Sequence, residues 1–325
     1  MQSSKKNTRV LVVGASSKIG KPLVKLLLEK EFQVCALTSQ STFDGLSDEK
    51  FQLIRISNWT DFELSQIQPV DYVVYLSSQT SAYEAKKDFV KDANSNIISF
   101  IKTFQTLFFG NNCRPKVILA GSMTQYGLGS EFPIDESFPS SSPTFYELSK
   151  NVNEMYIKRF FEENLITGYR FLRLSNVYGF MGTVSRHRGF LDSSITSAIG
   201  GQDLFYYEHG NYLRDYIHFT DVLEAILAAL DFDNNSYNGV YNIGSGEGTT
   251  IVSALRRISF EVMNRLNKHV QVISRSAPTD IYELEFRNSV VDIDLFSKHS
   301  GWSPKINFDF GIEKCISECL QLDSF

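Results

Sequence analysis

Residues 9–20 read RVLVVGASSKIG, and this stretch decides the fold. A short apolar run, Arg9–Val13, stops at Gly14, and apolar residues at helical spacing follow from Lys21 to Glu29. The pattern predicts a strand, a glycine turn and a helix. In that context, a glycine-rich turn lets backbone N–H groups and a helix N-terminus receive a pyrophosphate. The alternative is an ordinary tight turn.

The turn departs from the usual glycine-rich pattern at one position. Its middle glycine is replaced by Ser17 or Lys18, depending on the spacing that is used. Because serine is small enough to let a ligand approach closely, we interpret the turn as a variant dinucleotide site. The residues predicted to contact the cofactor here are Gly14, Ser16, Ser17, Lys18, Ile19 and Gly20.

Strand-like and helix-like segments alternate along the chain. Helices are predicted over about 96–109 and from Tyr146, and strands over residues 32–37, 51–55, 71–76, 116–120 and 169–174. Continuous apolar strands that alternate with helices predict an α/β fold, with a doubly wound parallel sheet of the Rossmann type. Ligands of such sheets lie outside the carboxyl ends of the strands, where we expect Gly14, Ser77, Ser122 and Asn176.

The pattern loosens after Gly179, which predicts a smaller and discontinuous C-terminal lobe. Residues 1–179 are expected to form the dinucleotide-binding domain, and residues 215–245, with a strand at 240–243, to return to it. The substrate-binding lobe then consists of residues 180–214 and 246–325.

The chain has 325 residues, of which 42% are hydrophobic and 21% charged, as is typical of a globular protein. A net charge of −5 and the lack of a dense basic block argue against nucleic acid or a membrane as partner. No apolar run reaches the roughly 20 residues that span a bilayer, and no signal-peptide pattern is present, so we expect a cytoplasmic protein. The cysteines and histidines lack metal-site spacing, which predicts no metal, and Cys315 and Cys319 fit one face of a terminal helix.

Tyr146 and Lys150 carry the strongest chemical signal. Their four-residue spacing places a phenol and an ammonium on one face of a helix, and Ser122 lies one strand upstream. A nearby cation favours the phenolate, so we expect the pKa of Tyr146 to fall toward neutrality. Tyr146 is therefore a candidate acid/base catalyst. The alternative is that the tyrosine and the lysine have this spacing by chance on a surface helix.

The end of the second strand bears on the choice of cofactor. An NAD site usually has Asp or Glu there to bind the ribose 2′-OH, but this strand ends in Leu37, Thr38 and Ser39. The Thr38 and Ser39 hydroxyls could bind a 2′-phosphate, and Lys18 could supply a cation. The sequence therefore favours NADP, with NAD as the alternative.

In this order, the motifs resemble the extended short-chain dehydrogenase/reductase family, which contains NAD(P)-dependent nucleotide-sugar epimerases, dehydratases and reductases. The resemblance covers nearly the whole chain. It is carried by Gly14–Gly20, Asp71–Gln79, Ser122–Gly127, Tyr146–Lys150, Arg173–Gly179, Arg214–Val222, Tyr241–Gly246 and Gly301–Pro304.

The resemblance implies a role for each matching residue. Tyr146 would be the acid/base, Lys150 would hold the nicotinamide ribose, and Ser122 would bond the reacting sugar oxygen. Further cofactor contacts are implied for Leu76, Ser77 and Ser78. Substrate contacts are implied for Gln79, Thr124, Asn176, Arg214 and Arg275, with Arg214 on the diphosphate and Arg287 competing with Arg275 as a second diphosphate ligand.

The residues after Ser122 narrow the chemistry. Dehydratases of the family usually carry an acidic pair there, whereas this chain has Met123 and Thr124. The sequence therefore favours hydride transfer at carbon 4 of a nucleotide-linked hexose, with a 4-keto-sugar reductase ahead of a 4-epimerase. A non-catalytic cofactor-binding protein is the third possibility.

Two apolar stretches suggest self-association. The helix at 96–109 and the stretch 155–161 are apolar on more than one face. Such helices predict a homodimer through packed helices, and burial within a single chain is the alternative.

Overall fold

The computed structural model describes residues 7–39, 48–59, 62, 67–111, 113–128, 132–179, 189–231 and 238–322. The chain divides into two compact units. The first unit comprises residues 1–127, 139–173 and 225–241, and the second comprises residues 128–138, 174–224 and 242–325. The predicted domains were defined by binding roles, one for a dinucleotide and one for the substrate, and this division stays a prediction. Residues 180–188, where the predicted substrate lobe begins, lie outside the described residues.

The strands in the described part of the chain are β1 (Arg9–Val13), β2 (Gln33–Thr38), β3 (Phe51–Arg55), β4 (Tyr72–Tyr75), β5 (Lys116–Ser122), β6 (Gly168–Leu174), β7 (Asn176–Tyr178), β8 (Leu204–Tyr207), β9 (Leu213–His218), β10 (Gly239–Ile243), β11 (Gly248–Thr250) and β12 (Val272–Arg275). A seven-stranded parallel sheet dominates the architecture, with strand order β3-β2-β1-β4-β5-β6-β10. Two small sheets have the orders β7-β9-β11 and β8-β12.

Helices alternate with these strands, which makes the connections of the large sheet doubly wound. The α-helices are α1 (Gly20–Glu29), α2 (Ala82–Lys87), α3 (Phe89–Ala93), α4 (Ser99–Asn111), α5 (Phe145–Glu162), α6 (Phe190–Ile199), α7 (Phe219–Asp231), α8 (Ile251–Leu266), α9 (Asp294–Ser300) and α10 (Phe308–Leu322). A wider π turn, Asn94–Ile98, joins α3 to α4, and a 3₁₀ turn, Met123–Tyr126, follows β5.

The centre of the large sheet is apolar on both faces. In the parallel register, Leu11 of β1 lies between Cys35 of β2 and Val73 of β4, and all three side chains are buried. Burial on both faces explains why these strands appear in the sequence as continuous apolar runs without alternation. The second unit has a separate core, in which Cys315 and Cys319 of α10 are buried on one face, as predicted.

The predicted fold class is confirmed, including the return of residues 240–243 to the large sheet as β10. Three local details differ. Helices α2 and α3 were not predicted, and α4 begins three residues later than expected because the π turn precedes it. Ser122 is the last residue of β5 rather than a residue beyond it, and Asn176 opens β7.

The apolar helix α4 is explained mainly by burial within the first unit. Phe100, Phe104, Leu107 and Phe108 all belong to the core beneath the large sheet. Burial within the chain, the alternative interpretation, accounts for these four side chains, and the predicted homodimer stays a prediction. None of the helices in the described part of the chain has the length and apolarity to cross a membrane.

Alanine substitutions at Gly20 and Gly110 give a matched test of how tightly the glycine turn after β1 is packed. A Cβ at Gly20 would collide with Gly14 O and lie 2.8 Å from Ala15 O, whereas at Gly110 it would meet only Thr106 Cγ2, at 3.8 Å. We expect Gly20→Ala to lower the free energy of unfolding by about 1–3 kcal/mol. Gly110→Ala should leave it unchanged or raise it by up to about 1 kcal/mol. Urea unfolding measures both, and equal effects would contradict this packing.

Candidate functional site

The glycine turn lies where the strand order of the large sheet reverses. Gly14 follows β1 and has a φ of 83°, a left-handed value that favours glycine. Its N–H and that of Ala15 both donate to Leu37 O, at 3.0 and 3.1 Å. A Cβ on Gly14 would lie 2.8 Å from Ser77 N. The turn is therefore fixed between the ends of β2 and β4, which is the usual ligand position in such sheets.

Helix α1 begins directly after this turn. The Gly20 N–H donates to Ser17 Oγ at 3.0 Å, and the Ser17 N–H donates to Gly14 O at 2.9 Å. The first turn of α1 contains no acidic residue. Lys18 and Lys21 add positive charge beside the helix N-terminus, so the arrangement suits an anion. The loop thus fits the pyrophosphate of a dinucleotide, even though Ser17 replaces the expected glycine.

The two hydroxyls at the end of β2 are in different environments. Thr38 is only 1% exposed, and its Oγ1 lies 2.6 Å from Ser16 Oγ. Its hydroxyl therefore joins β2 to the glycine turn. Ser39, in contrast, is exposed, so it presents its hydroxyl outside the strand end.

A buried polar chain fixes the segment after β4, where Leu76, Ser77 and Ser78 lie. Asn96, in the π turn, accepts bonds at Oδ1 from the Gln79 N–H (2.7 Å) and Ser78 Oγ (3.2 Å). Its Nδ2 donates to Asp92 Oδ1 at 2.9 Å, and Asp92 Oδ2 accepts a 2.8 Å bond from Ser149 Oγ. The chain thus connects the β4 loop to α5.

Asp92 and Asn96 were missed by the sequence analysis. Burial raises the pKa of Asp92, while the bonds from Ser149 and Asn96 act in the opposite direction. The only signal in the sequence is a pair of polar residues in a segment that is otherwise compatible with a helix. Their distance of four residues is typical of any helical face, so it does not indicate a site.

Gln79 bonds locally rather than presenting a free amide. Its Nε2 donates to Ser81 O at 2.8 Å, and its Oε1 accepts from the Ser81 N–H. The side chain therefore shapes the start of α2, and the predicted substrate contact remains a prediction.

Ser122, Tyr146 and Lys150 meet at the junction of β5 and α5. Lys150 Nζ donates to Ala120 O at 2.8 Å and lies 5.8 Å from the centroid of the Tyr146 ring. Ser122 hydrogen-bonds Tyr146 through its hydroxyl, and its Oγ lies 2.9 Å from Thr124 Oγ1. The residues predicted from spacing are therefore together, with Thr124 beside them.

The start of α5 positions Tyr146. Thr144 caps the helix by accepting a bond from the Tyr146 N–H at 3.3 Å, and its hydroxyl also bonds Glu147. Helix α5 then directs Tyr146 and Lys150, one turn apart, toward the carboxyl end of β5.

The expected direction of the Tyr146 pKa shift is wrong. Desolvation raises the pKa of Tyr146 well above its ordinary value, the charge of Glu147 raises it further, and only the bond from Ser122 lowers it. Burial also lowers the pKa of Lys150 to about 8, against the opposing effect of Glu154. The loss of water therefore outweighs the attraction between phenolate and ammonium, and Tyr146 is a neutral phenol at pH 7.

In the second unit, Asn176 and Arg214 are held by backbone carbonyls. Asn176 Nδ2 donates to Asp215 O at 2.9 Å. The Arg214 guanidinium donates to Leu213 O (3.0 Å), Glu285 O (2.6 Å) and Arg287 O. The carboxylate of the next residue, Asp215, accepts bonds from Ser175 and Ser245.

The two candidates for a second diphosphate ligand lie differently. Arg275, the last residue of β12, is exposed and stacks on Phe205 at 3.1 Å from the ring centroid. Arg287 is partly buried, and its main-chain O is a partner of Arg214. The structure thus brings Arg287, and not Arg275, into contact with Arg214.

Comparison with known proteins gives the same broad picture. The model of the NAD dependent epimerase/dehydratase family matches residues 10–244. A dTDP-4-dehydro-6-deoxyglucose reductase from Escherichia coli is 26% identical over 320 residues, covering 94% of this chain and 96% of that protein. A putative UDP-glucose 4-epimerase from Methanocaldococcus jannaschii is 25% identical over 316 residues, covering 95% and 97%.

Solved structures share the fold. The UDP-glucose 4-epimerase of Thermotoga maritima, solved with UDP-glucose, has a TM-score of 0.82 at 22% identity and covers 97% of this chain and 99% of its own. The UDP-glucose 4-epimerase of Thermus thermophilus, in complex with NAD, has a TM-score of 0.79 at 24% identity, with coverages of 96% and 98%. At these identities the likeness concerns the fold alone.

Proposed function

This chain belongs to the NAD dependent epimerase/dehydratase family, and we propose that it is a reductase of a 4-keto nucleotide-linked hexose. The observation that carries the proposal is the junction of Ser122, Tyr146 and Lys150, with Tyr146 held as a neutral phenol. The chain is an enzyme of its family, so the choice lies between activities rather than between catalysis and mere binding.

The residues act on the oxygen at carbon 4. A nicotinamide cofactor, when bound, supplies the hydride that the carbonyl carbon gains. Tyr146 donates its phenolic proton to the carbonyl oxygen, which becomes a hydroxyl, and Ser122 donates a hydrogen bond that orients this oxygen. The Lys150 ammonium stabilises the tyrosinate until water returns a proton to it.

The end of β2 favours reduction over epimerisation, because it offers no carboxylate to the ribose 2′-OH of NAD, and an epimerase holds NAD whereas a reductase consumes NADPH. Thr124, which bonds Ser122, is a hydroxyl where the family's dehydratases have a carboxylic acid, so dehydration is disfavoured. The similarity to a reductase supports this choice, and the similarity to a putative 4-epimerase at nearly equal identity keeps epimerisation as the alternative.

For the cofactor we favour NADP over NAD, within a family described as NAD dependent. The end of β2 offers hydroxyls and no carboxylate at Leu37, Thr38 or Ser39. Since Thr38 is bonded to Ser16, the Ser39 hydroxyl and the Lys18 ammonium are the groups we assign to a 2′-phosphate. Gly14, Ile19, Gly20 and the segment 76–78 are assigned to the rest of the dinucleotide.

For the substrate we assign Gln79, Thr124, Asn176 and Arg214, as the sequence predicts. Arg287 replaces Arg275 as the favoured second diphosphate ligand, because Arg214 Nη1 bonds the Arg287 carbonyl. Arginine forks suit a diphosphate better than lysine does, since they form paired bonds to its oxygens.

Replacement of Tyr146 tests the proton donor. Tyr146→Phe should lower kcat by about 10²- to 10⁴-fold, the usual contribution of general acid catalysis, with little change in cofactor affinity. The assay follows reduced-cofactor absorbance with a dTDP-linked 4-keto-6-deoxyhexose, and it compares NADPH with NADH. Tyr156→Phe, on the exposed side of the same helix, is the control and should keep full activity.

The two activities give different results in this assay. A reductase consumes the reduced cofactor in proportion to product and prefers NADPH. Turnover of a saturated nucleotide sugar with no change in cofactor absorbance would establish the epimerase, and full turnover by Tyr146→Phe would overturn the assigned proton donor.

The pKa of Lys150 predicts the upper limb of the pH profile. With a pKa of about 8, Lys150 loses its ammonium as the pH rises through that value, so kcat should fall above about pH 8. Unfolding does not explain this fall, because the unfolded chain binds more protons at Lys150 above pH 8 and the lowered pKa makes stability rise with pH. In Lys150→Arg, which stays charged, the fall should disappear at a lower overall rate. An unchanged limb in this variant would contradict the assignment.

We also propose a homodimer that forms through α5. Phe145, Leu148, Val152 and Met155 recur at the spacing of a helix–helix seam, and Met155 is 69% exposed. Phe89 extends the patch, with its ring centroid 4.4 Å from that of Phe145. A second copy of the same stripe is the partner that this self-complementary pattern fits best.

Light scattering tests the dimer. The unmodified chain should have twice the mass of one chain at micromolar concentration, and Met155→Glu should shift it to the monomer because two buried carboxylates would face each other. Phe310→Glu, at an exposed apolar position in the second unit, is the control and should stay dimeric. A monomer in the unmodified chain would exclude this interface.

A further inference from the structure

Gln125, in the 3₁₀ turn after β5, is completely buried and bonded at both ends of its amide. Its Oε1 accepts a 2.9 Å bond from the Ser122 N–H. Its Nε2 donates to Asn151 Oδ1 at 2.7 Å and to Glu154 Oε1 at 2.8 Å. One side chain thus joins the residue beside the reacting oxygen to the helix that carries Tyr146 and Lys150.

The acceptors of Gln125 are themselves fixed. Glu154 is held by Arg173 of β6, through Nη2 to Oε2 at 2.9 Å and Nε to Oε1 at 3.2 Å. Asn151 Nδ2 donates to Ser141 O at 2.8 Å and to Ser142 Oγ at 2.9 Å, which leaves its Oδ1 facing Gln125. These bonds determine the orientation of the Gln125 amide, since a flipped amide would face the Ser122 N–H with a donor and Glu154 with an acceptor.

The space around the amide is equally restricted. A Cβ on Gly121 would lie 2.8 Å from Gln125 Oε1 and 3.3 Å from Arg173 Cγ, so a side chain there would displace the bridge. The backbone is fastened as well, because the Ser141 N–H donates to Gln125 O at 2.6 Å. The end of β5 therefore has little freedom to move relative to α5.

We propose that Gln125 is a positioning residue, which holds Ser122 at a set distance from Tyr146 by bridging the Ser122 backbone to Glu154. This inference rests on the proposed function, because it gives Ser122 its role in orienting the sugar oxygen. Lys150 connects the same strand to the same helix at Ala120, so the Gln125 bridge adds to the bonds that hold β5 and α5 together around the reacting groups. With the bridge broken, Ser122 would no longer orient that oxygen reliably.

Two substitutions separate this role from simple packing. Gln125→Met keeps the length of the side chain but removes the acceptor and both donors, and kcat should fall about 10- to 100-fold, the cost of misplacing a reacting group by roughly 1 Å. Gln125→Glu keeps the acceptor, and its protonated form can still donate to Glu154. At low pH it should therefore act like glutamine, and its kcat should fall as the pH rises and the new carboxylate ionises against Glu154.

Cofactor affinity, far-UV circular dichroism and the pH profile are measured for each variant, with the 4-keto sugar nucleotide as substrate. Gln105→Glu, an exposed residue of α4, adds the same charge and should keep the profile of the unmodified enzyme. A folded Gln125→Met with full kcat, or a Gln125→Glu profile identical to that of the unmodified enzyme, would overturn the inference. No hydride transfer by the unmodified enzyme would instead overturn the proposed function, and the inference with it.

Discussion

The bond between Lys150 Nζ and Ala120 O, at 2.8 Å, is the contact on which the candidate site depends. It attaches α5, which carries Tyr146, to β5, which ends at Ser122, and so it brings these two side chains together. The strand is fixed by the parallel sheet, and the helix is fixed by the capping bond of Thr144. A parallel sheet with continuous apolar strands is thus the rigid support that a small group of polar side chains needs.

Desolvation decides the chemistry of these side chains. It raises the pKa of Tyr146 and lowers that of Lys150, so the neutral form of each side chain is more favoured than it would be in water. Because the raised pKa makes Tyr146 hold its proton more tightly, transfer of that proton to the sugar oxygen depends on the Lys150 ammonium to stabilise the tyrosinate that remains.

The sequence predicted the elements with strong periodicity and the residues with regular spacing. Strands β1 to β6, the glycine turn and the pair at 146 and 150 all followed from local patterns. Gln125, Asn96 and Asp92 did not, because the role of each also depends on bonds to residues far along the chain, such as Glu154 for Gln125 and Ser149 for Asp92. The sign of the Tyr146 pKa shift was missed for a related reason, since burial of a side chain depends on the assembled fold and not on its sequence neighbours.

The fate of the hydride tests the central claim most directly. The enzyme is incubated with NADPH in which both hydrogens at carbon 4 of the nicotinamide are deuterium and with a dTDP-linked 4-keto-6-deoxyhexose, and the product is analysed by proton NMR and mass spectrometry. We predict one deuterium at carbon 4 of the sugar for each cofactor oxidised. Product that carries no deuterium, or deuterium at another carbon, would contradict hydride transfer to carbon 4.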